Sequence, residues 1–428
     1  MNSSADMMIL GEGIAYTTDS NITGLNNNVI VCGSSGCGKT LSVIEPRLIN
    51  TYNSSLVVTV TKRRIVDKYK DVFTERGYNV LDLNFSDPVH SSAAYDPLAY
   101  IKSAESCADI SFLAQSIVKA NHRHQSNADP YWDEAATSLL SALIAYVLII
   151  EDKPSFADVL KLNDTLNIIE SGSRIETTLD SKFELLAKLD PHSFAVSCWN
   201  SFKVLPVKTA SCVYGTLNTT LDNVFSADIR RMIARKKKID FEKLASEKTI
   251  LFVTSSTVNP AINTLVNMFY SQMFKQLFEF SDKIPSGKLP LPVSILCDDF
   301  ATGSQILNFP EYISIMREKQ ISVCLLLQSE SQLEHMYGYD SSITIQNNCD
   351  TYLYLGGMDL RTCRNVSQRL NSPLDEILYM PLGQEIIFRR GSRPIITQRY
   401  NILENETFKE ITRKYEKEIR RLEEKERK

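Results

Sequence analysis

The stretch Gly33-Ser34-Ser35-Gly36-Cys37-Gly38-Lys39-Thr40 constrains this chain more than any other. It satisfies the pattern G-x-x-x-x-G-K-[ST] without mismatch, and the apolar run Val29 to Cys32 leads into it as a buried strand would. A polyphosphate needs a ring of inward-pointing backbone N–H donors, and glycines let the chain curl that tightly with no side chain in the way. A helix starting at Lys39 adds its own free amides and its positive dipole end. A strand, a phosphate loop and a helix in that order call for a parallel α/β sheet around them.

The flanking sequence supplies one. Strand Val29 to Cys32, helix Lys39 to Asn50, strand Ser55 to Thr59, helix Lys62 to Arg76 and strand Tyr78 to Leu83 alternate as βαβαβ, with Gly77 closing the second helix. Pro46 is expected to kink or shorten the first helix. After Asp96-Pro97 the strand signal stops. Ser106 to Ala120 places Ile110, Leu113, Ile117 and Val118 on one helical face, and Ser155 with Asp158 forms a capping box. Strand patterning resumes at Thr249–Thr254. It is followed by a helix from Asn259 to about Ser281, strand Val293–Cys297, helix Pro310 to Glu318, strand Ile321–Leu327, strand Thr351 to Leu355, helix Asp359 to Leu370, and two strands, Glu385 to Phe388 and Pro394 to Arg399. The resulting division is 1–103 and 226–402 for the two parts of a nucleotide-binding α/β domain, 104–225 for an inserted all-α domain, and 403–428 for a charged C-terminal helix. In that last helix Phe408, Ile411, Tyr415, Ile419 and Leu422 recur at helical spacing among i,i+4 charge pairs, and a solvated helix is expected, with a docking helix for a partner as the alternative.

Composition excludes some classes. Nine cysteines without C-x-x-C spacing, several inside apolar strands, argue against a disulfide frame or a zinc site. The apolar run Ala135 to Ile150 falls short of the ~20 residues of a membrane span and is flanked by acids, so it is expected as a buried helix. Met1 to Leu10 has no signal-peptide pattern. A net charge of −4 means that any nucleic acid must be met by local basic patches. Two such patches stand out: Lys62-Arg63-Arg64, and Arg235-Lys236-Lys237-Lys238 with Arg230 and Arg231 just before it. Either could track a phosphate backbone without sequence preference, and either could equally be a solvated face.

The chemistry beyond the loop is carried by strand ends. Val293–Cys297 ends in Asp298-Asp299, where the first carboxylate would hold Mg²⁺ through water and the second would orient or deprotonate the attacking water. An acidic turn after a core strand accounts for the pair as well. Gln328, at the end of the next strand, is placed to sense a γ-phosphate or to cap the following helix.

Four further stretches carry a family resemblance. Asp129-Pro-Tyr-Trp-Asp-Glu-Ala-Ala136, Cys297-Asp-Asp-Phe-Ala301, the run Ile321 to Leu333, and Asn348-Cys-Asp-Thr-Tyr-Leu-Tyr-Leu-Gly356 resemble, in order and spacing, the motifs of type IV secretion coupling proteins. These are the TraG/TraD-type conjugative DNA-transfer ATPases, an FtsK-like branch of the RecA-type motors. The resemblance implies a RecA-like P-loop NTPase fold, with a mainly parallel central sheet and an inserted all-α domain. It implies ATP and Mg²⁺ as cofactors, a hexameric ring, and sequence-independent DNA brought with its relaxase to a secretion apparatus. Lys39 and Thr40 take the phosphate and Mg²⁺ roles, Asp298 the metal-holding role, Gln328 the sensor role, and Arg317 the role of an arginine reaching a neighbouring subunit's nucleotide.

Three departures accompany it. Asp299 stands where a Glu is usual, Val60-Thr61-Lys62-Arg63-Arg64 replaces D-P-K-G-E, and the family's usual N-terminal transmembrane region is expected to be missing. The expectation is a cytoplasmic chain recruited to the inner face of the membrane by a partner. A nucleotide-gated recruitment adaptor with weak hydrolysis, or a related chromosome- or phage-type DNA pump, are the alternatives.

Overall fold

A strand covered on both faces needs apolar residues at every position, and the central strands of this chain have them. The computed structural model describes residues 6–119, 130–171, 174–235, 238–256, 259–302 and 305–426. In chain order the strands are β1 (Met7–Gly11), β2 (Ile14–Thr17), β3 (Val29–Cys32), β4 (Ser55–Val60), β5 (Asn79–Asn84), β6 (Ile168–Ser171), β7 (Arg174–Thr177), β8 (Thr249–Thr254), β9 (Val293–Cys297), β10 (Ile321–Leu327), β11 (Thr351–Tyr354), β12 (Gln384–Arg389) and β13 (Ile395–Gln398). Nine of them form one sheet in the order β13-β12-β11-β3-β10-β9-β4-β8-β5. From β11 to β5 every pairing is parallel, and β12 and β13 extend the sheet antiparallel. The fold is therefore the expected mainly parallel α/β architecture. The P-loop strand β3 and the acid-ending strand β9 are separated by β10, so the ends of all three converge on one edge.

Alternation sends successive side chains of each strand to opposite layers. Val29 and Val31 join Leu56, Val58, Ile250, Phe252 and Leu326 on one face. There the helix Arg64–Glu75 seals them with buried Ile65, Val66, Tyr69 and Phe73. Ile30 and Cys32 join Val57, Leu251, Val253, Ile295 and Leu325 on the other, beneath the helix Pro260–Lys283, whose Phe269, Met273 and Phe274 are fully buried. The buried thiols of Cys32 and Cys324 are pushed up to about 12 by loss of solvent, which makes them packing groups rather than reactive ones.

The P-loop helix opens with a π-helical turn, Thr40–Ile44, and continues as α-helix only over Glu45–Ile49. Pro46 has no N–H to return to Ser42, and the wider turn absorbs that break, as the expected shortening required.

The inserted segment packs helices Cys107–Val118, Pro130–Ile150, Phe156–Asp164, Asp180–Leu189, Phe194–Lys203 and Val207–Val224. Phe183 stacks on Trp199 with ring centroids 4.1 Å apart at its centre. The segment also contains the antiparallel hairpin β6–β7, whose four-residue strands are too short to leave a clear period in the sequence. The capping box at Ser155 and Asp158 forms as expected. Among the described residues the apolar helix Tyr131–Ile150 alone is long and apolar enough to cross a membrane. Here Leu139, Leu140, Leu143 and Ile144 are fully buried against neighbouring helices. Asp96 ties the insertion to the sheet, accepting from Ser155 Oγ (2.9 Å) and Phe156 N (3.1 Å).

The C-terminal helix Glu406–Glu426 is only partly solvated. Phe408 and Ile411 are buried, with Lys68 Nζ 3.5 Å from the Phe408 ring centre, while Leu422 is exposed.

Candidate nucleotide-binding site

Gly36 and Gly38 adopt φ of +75° and +88°, which side-chain-bearing residues avoid, and this lets the loop turn its amides inward. The loop is pinned on both flanks: Gly33 N donates to Leu327 O (3.1 Å) and Ser34 N to Gly356 O (3.0 Å). Lys39 is 8% exposed, and its Nζ donates to Gly33 O (2.5 Å) and Ser34 O (3.1 Å), which holds the ammonium in the throat of the loop. A cleft of about 400 Å³ opens in front of it. Ser35 to Thr40, Lys62, Arg64, Asp298, Asp299 and Gln328 all line this cleft. The sheet brings these residues together because β3, β4, β9 and β10 are parallel and end on the same edge.

Thr40 Oγ1 donates to Asp298 Oδ2 across 3.4 Å. A hydroxyl and a carboxylate at this spacing are hard oxygen donors of the kind Mg²⁺ takes, so these residues fit the ion. Burial raises the Asp298 carboxyl to about 6, and the neighbouring charge of Asp299 adds to the rise; Thr40 and Lys39 oppose it. Asp299 and Ala301 both have left-handed backbone, φ +52° and +65°. Between them Phe300 donates its N–H to Leu326 O (2.9 Å) and stacks its ring 5.9 Å from that of Tyr337. A buried aromatic anchor thus holds the turn that carries Asp299, in a backbone region Asp tolerates better than most residues.

Gln328 is exposed at the cleft wall. The next helix, Glu330–Tyr337, is capped by Ser329, whose side chain accepts from Gln332 N (3.2 Å). That removes capping as the role of the Gln328 side chain.

The basic patches divide. Lys62 and Arg64 line the cleft and have no ion-pair partner among the described residues. Arg63 instead makes a two-pronged pair with Asp82, both distances 2.7 Å, and reaches Thr254 Oγ1 at 3.0 Å, bracing β5 to β8. In the second patch, Arg235 donates to Ser91 O and Val89 O, both at 2.6 Å. Lys238 lies 3.4 Å from the buried Asp96, Arg230 pairs with Asp164 and Asp222, and Arg231 with Asp228. Among the described residues of this patch, these charges therefore have partners within the chain. Lys236 and Lys237 lie outside the described residues, as does Asp129 of the motif before the apolar helix.

Arg317 is exposed in the turn before β10. The seven residues of β10, roughly 20 Å at strand rise, separate it from the cleft, so it serves no part of its own chain's site.

Sequence reasoning missed Arg399. It reaches the P-loop from beyond β13, donating to the carbonyls of Cys37 and Leu355, and to that of Gln384 at 3.1 Å. No local pattern marks it, because its partners are main-chain atoms far away in sequence.

Comparison with known proteins agrees with this geometry. The family described as type IV secretory system conjugative DNA transfer matches residues 4–371. The type IV secretion system-coupling protein VirD4 of Bartonella henselae is 23% identical over 303 residues, covering 69% of this chain and 45% of that protein. The chain thus spans less than half the length of that relative. Two structures of the plasmid coupling protein TrwB share the fold. The complex with ADP and Mg²⁺ gives a TM-score of 0.69 at 16% identity, covering 93% of this chain and 90% of that one. The complex with the ATP analogue ADPNP gives 0.67 at 16% identity, covering 87% and 85%. With the family matched over most of its length, and the P-loop, acidic pair and Gln328 gathered in one cleft, this chain belongs to the type IV secretory conjugative DNA-transfer family.

Proposed function

We propose that this chain is an ATP-hydrolysing motor subunit that moves DNA, delivered with its relaxase, toward a type IV secretion apparatus. The observation that carries the reading is the convergence of Lys39, Thr40, Asp298, Asp299 and Gln328 on one cleft. The TrwB complexes with ADPNP and with ADP and Mg²⁺ support ATP and Mg²⁺ as its ligands.

In this reading Gly33 to Gly38 cradle the phosphates through their amides, and Lys39 exchanges its carbonyl partners for phosphate oxygens. Thr40 and Asp298 would hold Mg²⁺, which when bound neutralises charge on the phosphates. Asp299 orients the attacking water and accepts its proton, and Gln328 reports whether the terminal phosphate is present. Lys62 and Arg64 face the same cleft and contribute positive charge to the phosphates rather than to DNA. Arg317, on the opposite edge, suits a neighbour's nucleotide in a hexameric ring. The chain acts on the cytoplasmic side of the membrane. The shorter carboxylate of Asp299 favours a second reading, a nucleotide-gated recruitment adaptor with slow turnover.

ATP hydrolysis by the purified chain, with and without DNA, tests the motor. Wild type should hydrolyse ATP faster with DNA present and Lys39→Ala should be silent. A wild type as silent as Lys39→Ala, yet binding ATP, would leave the adaptor.

A further inference from the structure

The turn that presents Asp299 is strained on both sides of its aromatic anchor. Asp299 and Ala301 both hold left-handed backbone, and alanine has no polar side chain to offset that conformation. Such backbone persists only where its surroundings over-determine it. Phe300 supplies one restraint, through its bond to Leu326 O. Further restraints come from the helix Pro260–Lys283, which passes behind the turn.

Asn267 Nδ2 donates to Thr302 O (2.9 Å), and Thr302 Oγ1 donates to Asp299 O (2.9 Å). Two bonds in series therefore run from the helix to the main chain of Asp299. One helical turn further on, Ser271 Oγ accepts from Leu307 N (2.8 Å) and donates to Asn267 O (2.8 Å). Asn267 and Ser271 share a helix face, and they hold the chain after Asp299 at Thr302 and again at Leu307. A cavity of about 20 Å³, lined by Asn263, Asn267, Asp298 and Asp299, lies between the helix and the acids. The helix is itself held in register. Gln272, 4% exposed, donates to Pro97 O (2.7 Å) and accepts from Tyr95 Oη (2.6 Å), and Lys275 pairs with Asp109 and Glu279. A supporting residue on a fixed element is what a precisely placed reacting group requires.

We propose that Asn267 is a positioning residue for ATP hydrolysis: through Thr302 it fixes the left-handed turn, and with it the angle at which Asp299 meets the attacking water. The proposal rests on the water-activating role given to Asp299 above. Asp299 makes the demand sharp, because its side chain is short and takes its reach from the backbone. A reacting group misplaced by about 1 Å costs on the order of 10²-fold in rate. Asn267 does not line the phosphate cleft, so its effect falls on the chemical step and leaves nucleotide binding to the loop.

The test is steady-state ATP hydrolysis by the full chain with Mg²⁺ and DNA, together with ATP affinity by calorimetry. Wild type is compared with Asn267→Leu, Thr302→Val, Asp299→Asn and the double variant Asn267→Leu/Asp299→Asn. Leucine keeps the bulk of asparagine without its donor, and valine the shape of threonine without its hydroxyl. Asparagine at 299 removes the carboxylate and still tolerates left-handed backbone. Asn267→Leu and Thr302→Val should each lower kcat about 10- to 100-fold, with KM and ATP affinity within about twofold of wild type. In the Asp299→Asn background, Asn267→Leu should change the residual rate no further, because the group it positions is gone. A folded Asn267→Leu that turns over at the wild-type rate would overturn the proposal. So would a kcat loss equally large in the Asp299→Asn background, or a loss carried by KM and affinity instead of kcat, since both mark a structural role only. Should Asn267→Leu not fold, Thr302→Val decides: a fall in kcat at constant affinity supports the proposal and an unchanged kcat overturns it. An Asp299→Asn variant as fast as wild type, or a wild type as silent as Lys39→Ala, would overturn the reading of Asp299 itself, and the role of Asn267 with it.

Discussion

Two side chains at the sheet's antiparallel margin are under opposing constraints. Arg399 supplies partners to three carbonyls, and Glu385 on β12 is buried with its Oε1 unpaired. Arg399→Ala should leave the Cys37 and Leu355 carbonyls without these donors. An ATP affinity weakened about tenfold is expected, in line with losing hydrogen bonds from a charged donor, with little change in overall secondary structure by circular dichroism. The Glu385 carboxyl is raised from its ordinary 4.5 to about 8 because burial penalises its charge, with Arg399 opposing. A carboxyl raised on folding holds its proton more tightly folded than unfolded. Its contribution is therefore most favourable below pH 4.5, declines as pH rises toward 8, and is flat above. Glu385→Gln should remove that slope, so the Tm advantage of the variant over wild type should be larger at pH 9 than at pH 5. An advantage independent of pH would contradict this. Neither residue was legible in the sequence. The P-loop, Asp298, Asp299 and Gln328 were, because each ends an apolar run and reports its place by local pattern. Arg399 and Glu385 act through atoms that only the folded sheet brings near.

Elements were legible where their own periodicity is strong and lost where a neighbour decides them. The seven parallel strands and the helices between them follow from apolar runs and caps. The hairpins β1–β2 and β6–β7 are too short to show alternation. The C-terminal helix reads as solvated because most of it is, yet its first turns complete a stack on the P-loop layer. Glu45 on the P-loop helix is 2% exposed and bonds both Lys68 Nζ and Tyr69 Oη at 2.8 Å. Lys68 in turn lies over the Phe408 ring, and burial lowers its proton affinity despite Glu45. Phe408→Ala should cost about 3 kcal/mol by urea unfolding, the typical figure for a buried phenylalanine. A loss below about 0.5 kcal/mol, as surface substitutions give, would mean the helix does not dock there in solution.

At the scale of the whole molecule, the cleft and Arg317 lie on opposite edges of one sheet. A single copy therefore presents a nucleotide face and an arginine face that cannot meet within itself, whereas head-to-tail copies in a ring can join them. An arginine contributed in this way is worth ~10³ to 10⁵ in rate. The most direct measurement is DNA-stimulated ATP hydrolysis by Lys39→Ala, by Arg317→Ala, and by an equal mixture of the two assembled together. Each variant alone should be silent. The mixture should recover about a quarter of the wild-type rate, since random assembly pairs an intact loop with an intact arginine at that fraction of interfaces. Full activity in Arg317→Ala alone, or a mixture as silent as its components, would contradict a motor site completed by a neighbouring copy.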